Sequence, residues 1–306
     1  MRTLKYLILA SRPKTLRICL APFILGTAFA YKISLHIDVL LSVVTLVLFF
    51  LMQIFANYCN DYYDYVNGID TLRRQGPMRV SQAGLINPDN IQNILKLLIF
   101  GIIILALIVI FLSRQNKLFI SLVILLGTLV AWLYTGGPVP LGYVGLGELS
   151  VFVSFGPLAV LTSYYIQLTY LDFNAEVLTT SISCGLISAS ILVVNNTRDR
   201  VSDKIAKKNT ISVLYGKSFS QIEYVILMIG GLLISSILLL GNIRKEILAY
   251  VLIQLLFKAM KYSASIFEIQ SANGYNNLLE KTSELLLQYS ILVAICIWFT
   301  SLVNLS

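Results

Sequence analysis

The sequence predicts an all-α fold, a polytopic membrane helical bundle of about nine transmembrane helices. Three observations carry that reading. Of 306 residues, 57% are hydrophobic and only 12% charged, with a mean hydropathy of +0.81, whereas soluble domains hold roughly 45–50% apolar residues. The apolar residues gather in nine runs, most of them near the roughly 20 residues that one helix needs to cross hydrocarbon. None of the runs has the shortness and alternation of a barrel strand.

In chain order the runs are roughly 16–32, 39–59, 92–113, 117–134, 147–168, 176–195, 221–240, 245–262 and 284–304. The first has no small-residue cleavage site behind it and leads straight into the second, so it is expected to stay as a span rather than serve as a removable leader. Gly68 is expected to close the second helix. Gly136, Gly137, Pro138 and Pro140 mark a tight loop after the fourth. Because the spans take up most of the chain, a single domain over residues 1–306 is expected.

The basic residues are distributed unevenly. With nine spans the termini face opposite sides. Of the 23 Lys and Arg residues, all but five (Lys32, Arg114, Lys117, Arg244 and Lys245) fall on the N-terminal side. The positive-inside rule then places the N-terminus, and the long loops after the second and sixth spans, in the cytoplasm. The expected location is a bacterial cytoplasmic membrane, or a plastid membrane. Cys19, Cys59, Cys184 and Cys296 stand in separate spans with no CxxC spacing, which reads as buried thiols without a redox or zinc role. His36, the one histidine, lies in a short loop, so histidine-centred catalysis is not expected.

Acidic residues have little influence on topology, so their placement reports on chemistry. At the cytoplasmic end of the second span, Asn57, Asn60, Asp61 and Asp64 stand at i, i+3, i+4 and i+7, on one helical face. The sixth span ends the same way, with Asn195 or Asn196 followed by Asp199 and Asp203. Like charges in such rows repel one another, and at the mouth of a bundle that cost rises. A hard divalent cation relieves it, and Mg2+ takes one or two carboxylates together with waters and phosphate oxygens. Arg79, Arg198, Lys204 and Lys208 stand close by in the sequence and suit the remaining phosphate oxygens. A rim of mixed acids and bases matches a metal–diphosphate clamp. Solvated helix ends laced with salt bridges are the plainer alternative.

At these residues the chain resembles the UbiA superfamily of intramembrane aromatic prenyltransferases, whose two Asp motifs read here N60-D-Y-Y-D64 and D199-R-V-S-D203. The segments ASRPKTLRICLAPFILGTA (10–28), NDYYDYVNGID (60–70), GPMRVSQAGLI (76–86), YTGGPVPLGYVGLGEL (134–149) and NNTRDRVSDKIAKKNTISVLYG (195–216) are similar to the subfamily that prenylates 1,4-dihydroxy-2-naphthoate on the way to menaquinone or phylloquinone. Asp70 follows Asp64 by six residues, where the general motif has four.

The resemblance implies a nine-helix bundle whose cavity opens to the cytoplasmic side and laterally to lipid, with Mg2+ between the motifs and the prenyl tail lying between helices, continuous with lipid. Its substrates would be a prenyl diphosphate and the naphthoate, which loses its carboxylate in the reaction. Asn60, Asp61, Asp64, Asp199 and Asp203 would hold the metal, with Asn57 completing or orienting the shell. Arg79, Lys204 and Lys208 would contact diphosphate, and Arg198 would do so or pair with the aspartates. Tyr134 would offer a π face to the allylic cation. Arg12 and Lys14 are candidates for the acceptor's carboxylate, against a plain role in topology. Polyprenyl and phytyl donors share one head group and both stay open. Related acceptors such as 4-hydroxybenzoate or homogentisate are the nearest alternative. A transporter is the alternative from another class, but its charges belong near the bilayer midplane, where this chain has almost none. No nucleic-acid partner is expected.

Overall fold

The computed structural model describes residues 2–69, 76, 78–170, 172–240 and 245–303, excepting the side chains of 2, 3, 14, 239, 240, 302 and 303. Eleven α-helices and no strand occur among them. Helix α1 (Arg2–Ser11) was not anticipated as a separate element. It stops because Arg12 precedes Pro13, and a residue before proline is driven out of the right-handed helical region. Arg12 turns the chain at φ 49, and Pro13 starts α2 (Pro13–Ser34). Helix α3 (Val39–Val66) is capped by Asp38, whose carboxylate accepts from Leu41 N at 2.9 Å. Asn87 and Pro88 start α4 (Pro88–Leu112), and Asn116 caps α5 (Lys117–Leu133).

The expected fifth span, 147–168, is broken. It runs as α6 (Gly147–Val153), a π-helical turn at Ser154–Leu158, and α7 (Ala159–Tyr165). Pro157 lacks the N–H that would continue the ladder, and Gly156 has left helical geometry. The break is held by close packing: a Cβ on Gly156 would lie 2.6 Å from Ser181 O, and one on Gly185 would lie 2.6 Å from Phe152 O. Only glycine at both positions lets these backbones meet.

The remaining helices are α8 (Ala175–Ile205), α9 (Ile211–Ser235), α10 (Lys245–Glu268) and α11 (Ala272–Val303). Seven of the described helices are long and apolar enough to cross a bilayer; α5 is apolar but has 17 residues, and α6–α7 is interrupted. The nine expected runs all fall on helical segments, but not on nine uniform spans. The chain is an integral membrane protein.

Outer and inner helices differ in character. From Leu97 onward α4 is apolar all round, and Leu97, Phe100, Leu107 and Phe111 point outward, Phe111 with 78% of its surface exposed. Such a face suits lipid, which asks only that the backbone bonds be satisfied internally. Helix α8 is mostly buried and carries Ser181, Ser183, Ser188 and Ser190 inside the bundle. Ser188 and Ser190 satisfy their hydroxyls on carbonyls of the preceding turn, each at 2.7 Å.

Two apolar cores result, one joining α2 with α7–α11 and the other joining α1 with α3–α5. The chamber described next is lined from both. With 28 and 31 residues, α3 and α8 extend about 42 and 46 Å, well beyond roughly 30 Å of hydrocarbon. The acid-bearing turns are the final ones of each helix.

Candidate active site

A chamber of about 270 Å³ opens between the two cores. Its polar end is lined by Asn57, Asn60 and Asp64 from α3 and by Asn195 and Asn196 from α8. Arg12, Arg79, Tyr134 and Lys208 line the same chamber. Residues distant in the sequence therefore share one cavity.

The acids of α3 are both buried, each with 1% of its surface exposed, but they face different partners. Asp61 faces the segment after the helix: Val80 N and Ser81 N donate to its carboxylate at 3.0 and 2.9 Å, and the Ser81 hydroxyl donates as well. Asp64 faces the chamber. Arg79 Nη2 donates to Oδ2 at 2.9 Å, and the Tyr143 hydroxyl donates to Oδ1. Burial, followed by the negative charge of Asp64, pushes the Tyr143 phenol above its ordinary value. Lys208 Nζ lies 5.3 Å over the Tyr143 ring, a cation–π arrangement.

The amides are equally fixed. Asn57 Nδ2 donates to Ser11 O at 2.9 Å and to Thr15 Oγ1 at 3.1 Å, tying α3 to the α1–α2 corner. Asn60 Oδ1 accepts from Thr135 Oγ1 at 2.8 Å. Asn196 Nδ2 donates to Glu148 Oε1 at 2.8 Å. A carboxylate only accepts, so this bond sets which way the amide points.

On α8, Asp199 is turned into its own neighbour. Arg198 donates to both Asp199 oxygens, from Nε at 2.8 Å and from Nη2 at 2.7 Å. The same guanidinium donates to Asn195 Oδ1 at 2.7 Å and to Asn276 Oδ1 on α11 at 2.6 Å. Asp203 is buried, and its main-chain oxygen accepts from Lys208 N at 2.9 Å. Asp61, Asp199, Asp203 and Arg198 are buried but do not line the chamber, and Lys204 is exposed. The Lys14 side chain and Asp70 lie outside the described residues.

Tyr143, Thr135, Glu148 and Asn276 were missed or given no role from sequence. Tyr143 and Glu148 sit in PLGYVGLGE, a polar-and-glycine stretch between apolar runs, and that was the available signal. Nothing around Asn276 marks it.

Among the described residues, no three Asp, Glu, His or Cys side chains gather into a complete metal cage. The donors are instead hard oxygens, the Asp64 carboxylate on the wall with amides beside it, mixed with Arg79 and Lys208, while Asp61, Asp199 and Asp203 are buried off it. That set fits a divalent cation bringing phosphate oxygens of its own, since Mg2+ needs only one or two carboxylates from protein. It does not fit a cation enclosed by protein alone.

A sequence profile described as the UbiA prenyltransferase family matches residues 19–276. The chain is 36% identical over 224 residues to 1,4-dihydroxy-2-naphthoate octaprenyltransferase of Escherichia coli (strain K12), covering 72% of each chain. It is 34% identical to the protein of the same name from Mycobacterium tuberculosis, covering 70% of this chain and 71% of that one. A UbiA homolog from Archaeoglobus fulgidus, solved bound to DMAPP and Mg2+, has the same fold: TM-score 0.69 at 16% identity, over 94% of this chain and 98% of the other.

Proposed function

Because the chain belongs to the UbiA prenyltransferase family, we propose that it transfers a prenyl group from its diphosphate to 1,4-dihydroxy-2-naphthoate. The ring carboxylate is lost in a step of menaquinone or phylloquinone biosynthesis. One observation carries the chemistry: Asp64, Asn57 and Asn60 converge with Asn196, Arg79 and Lys208 at the polar end of a chamber whose other walls are apolar. The acceptor follows from the curated relatives, which are named for that naphthoate.

The residues divide the work. Arg79 and Lys208 neutralise diphosphate oxygens, and Asp64 with Asn60 and Asn57 offers oxygen to a divalent cation, Mg2+ in the proposal. When bound, that ion supplies charge neutralisation of the leaving diphosphate. Asp199 holds the α8 side of the clamp in place through Arg198, and the main-chain oxygen of Asp203 fixes the Lys208 turn. Asp61 acts through the loop it holds, which carries Arg79. Tyr134 faces the region where the allylic cation forms, and the apolar walls keep water away from it. Arg12, at the α1–α2 corner, is placed to meet the acceptor's carboxylate. The N-terminus and the polar end of the chamber face the cytoplasm, as the distribution of basic residues supports.

The test is direct. Purified protein in lipid, given the naphthoate and a labelled prenyl diphosphate, is expected to yield a prenylated, decarboxylated product. EDTA should silence it and Mg2+ restore it. Transfer to 4-hydroxybenzoate with none to the naphthoate would overturn the acceptor, and undiminished turnover in EDTA would overturn the metal.

A further inference from the structure

The α8 wall of the chamber carries two adjacent amides, Asn195 and Asn196, and each is held by a partner that allows one orientation only. Arg198 Nη2 donates to Asn195 Oδ1 at 2.7 Å. A guanidinium cannot accept, so the Asn195 oxygen is taken and its NH2 group remains. Asn196 Nδ2 donates to Glu148 Oε1 at 2.8 Å. A carboxylate only accepts, so here the NH2 group is taken and the oxygen remains. Neither remaining group has a hydrogen-bond partner among the described residues. The wall therefore offers the chamber one donor and one acceptor side by side, on α-carbons about 3.8 Å apart.

Glu148 adds a second observation. It is buried, with 6% of its surface exposed, and its Oε2 has no partner among the described residues. Buried polar groups are normally satisfied, so nothing in the packing alone calls for a carboxylate there. The bond that it makes with another side chain holds Asn196. Asn196 stands three residues before Asp199, about 4.5 Å further from the end of α8. One turn deeper the wall becomes apolar at Leu192 and Ile191, which suits an aromatic ring. A cation is a poor occupant of this wall. Asn195 turns amide hydrogens toward it, with the Arg198 guanidinium behind, and only one oxygen is offered.

We propose that Asn195 and Asn196 read the aromatic acceptor: Asn196 Oδ1 accepts from a ring hydroxyl, and Asn195 Nδ2 donates to a carboxylate on the neighbouring ring carbon. The inference rests on the naphthoate reading and deepens it. In 1,4-dihydroxy-2-naphthoate a hydroxyl and the carboxylate are adjacent, so neighbouring amides meet both. In 4-hydroxybenzoate they stand at opposite ends of the ring. In water the hydroxyl bonds its own carboxylate; the wall gives each group a replacement partner, and the other carboxylate oxygen is left to face Arg12. Glu148 is a positioning residue that acts through Asn196.

The experiment measures dissociation constants of 1-hydroxy-2-naphthoate and of 2-naphthoate, which lacks the hydroxyl, by calorimetry on the full-length protein in nanodiscs with Mg2+ and inorganic diphosphate. Wild type is expected to bind the hydroxylated ligand about five- to a hundredfold more tightly, the scale on which a buried polar group left unpaired is penalised. Asn196→Leu should bring that ratio to within twofold of one. Asn195→Leu should weaken both ligands by a similar factor and leave the ratio standing. Glu148→Leu should lower the ratio, and Glu148→Gln, which keeps an acceptor for Asn196, should retain part of it. A wild-type ratio near one, or a ratio that Asn196→Leu leaves within twofold of wild type, would overturn the proposal. If Asn196→Leu binds neither ligand, the Glu148 variants decide alone: a lowered ratio supports the proposal and an unmoved ratio sinks it. A higher Mg2+ requirement for turnover in Asn196→Leu, with the ratio unmoved, would make Asn196 a cation ligand instead. If wild type prenylates 4-hydroxybenzoate and binds neither naphthoate, the acceptor assignment itself has failed. If it prenylates the dihydroxynaphthoate while the ratio stays unmoved, only this inference has.

Discussion

The ends of α3 and α8 carry nearly the same residues at nearly the same spacing, yet the surroundings of their acids differ. On α3 the two aspartates reach other segments: Asp61 takes the backbone of Val80 and Ser81, and Asp64 takes Arg79 and Tyr143. On α8 Asp199 is satisfied by Arg198, one residue away on the same helix, and that arginine reaches out to Asn276. The α3 acids thus organise loops, while on α8 an arginine does the organising and the acid orients it. Matching motifs mark matching positions in the fold. The role of each acid is decided by which donors come to meet it.

If that contrast is right, the four aspartates are not interchangeable. The largest effect is expected at Asp64, the one carboxylate on the chamber wall among the described residues. Asp64→Asn keeps its size but removes the charge that faces Arg79 and any cation brought by the diphosphate. Loss of one preorganised electrostatic contact of this kind costs about 10²–10³ in kcat. Initial rates at saturating donor would check it, and a variant within a few-fold of wild type would break the distinction drawn between the wall carboxylate and those buried off it.

Asp61 should behave differently. Asp61→Ala leaves the Val80 and Ser81 N–H groups buried without their acceptor, at about 1–3 kcal/mol for each group left unsatisfied. The expected signs are a lowered melting temperature in detergent and faster proteolysis between α3 and α4. Activity should fall along with loop order, because Arg79 is carried by that loop. Asp61→Asn retains one acceptor oxygen and should recover part of both. Equal loss in both variants with no change in proteolysis would mean that Asp61 acts on substrate directly.

This division also shows how far the sequence could be read. Helical spacing was enough to put Asn57, Asn60 and Asp64 on a common face, because α3 is regular through Val66. Two of the three donors to Asp61 were illegible because they are backbone N–H groups some twenty residues on, and every residue type except proline carries one. The break in the 147–168 run had a visible proline, but its depth depends on Gly156 meeting Gly185, a contact between separate helices. Arg198 was legible as a base beside acids. That it spans Asn195, Asp199 and Asn276 together depends on where α11 packs.

The finest distinction concerns Tyr143, which joins the α3 clamp to the α8 side. Its hydroxyl donates to Asp64, its ring lies under Lys208, and its main-chain oxygen accepts from Asn209 N at 2.9 Å. Tyr143→Phe keeps the ring and the backbone bond and removes only the donor. A hydrogen bond to a charged group contributes about 1.5–3 kcal/mol, so a loss of roughly ten- to a hundredfold in kcat/KM is expected, at or below the lower end of the effect at Asp64. The sign of the pH dependence follows from the same contact. The phenol's folded-state value is raised above its ordinary 10.0 by burial and by Asp64. The proton that makes the bond is therefore fully present below about pH 10, and the stability it contributes declines only above that pH. Wild type and Tyr143→Phe should accordingly differ by a constant factor from neutral to mildly alkaline pH. A gap closing within that range would mean that the phenol titrates early, and that Asp64 does not hold its proton as this geometry requires.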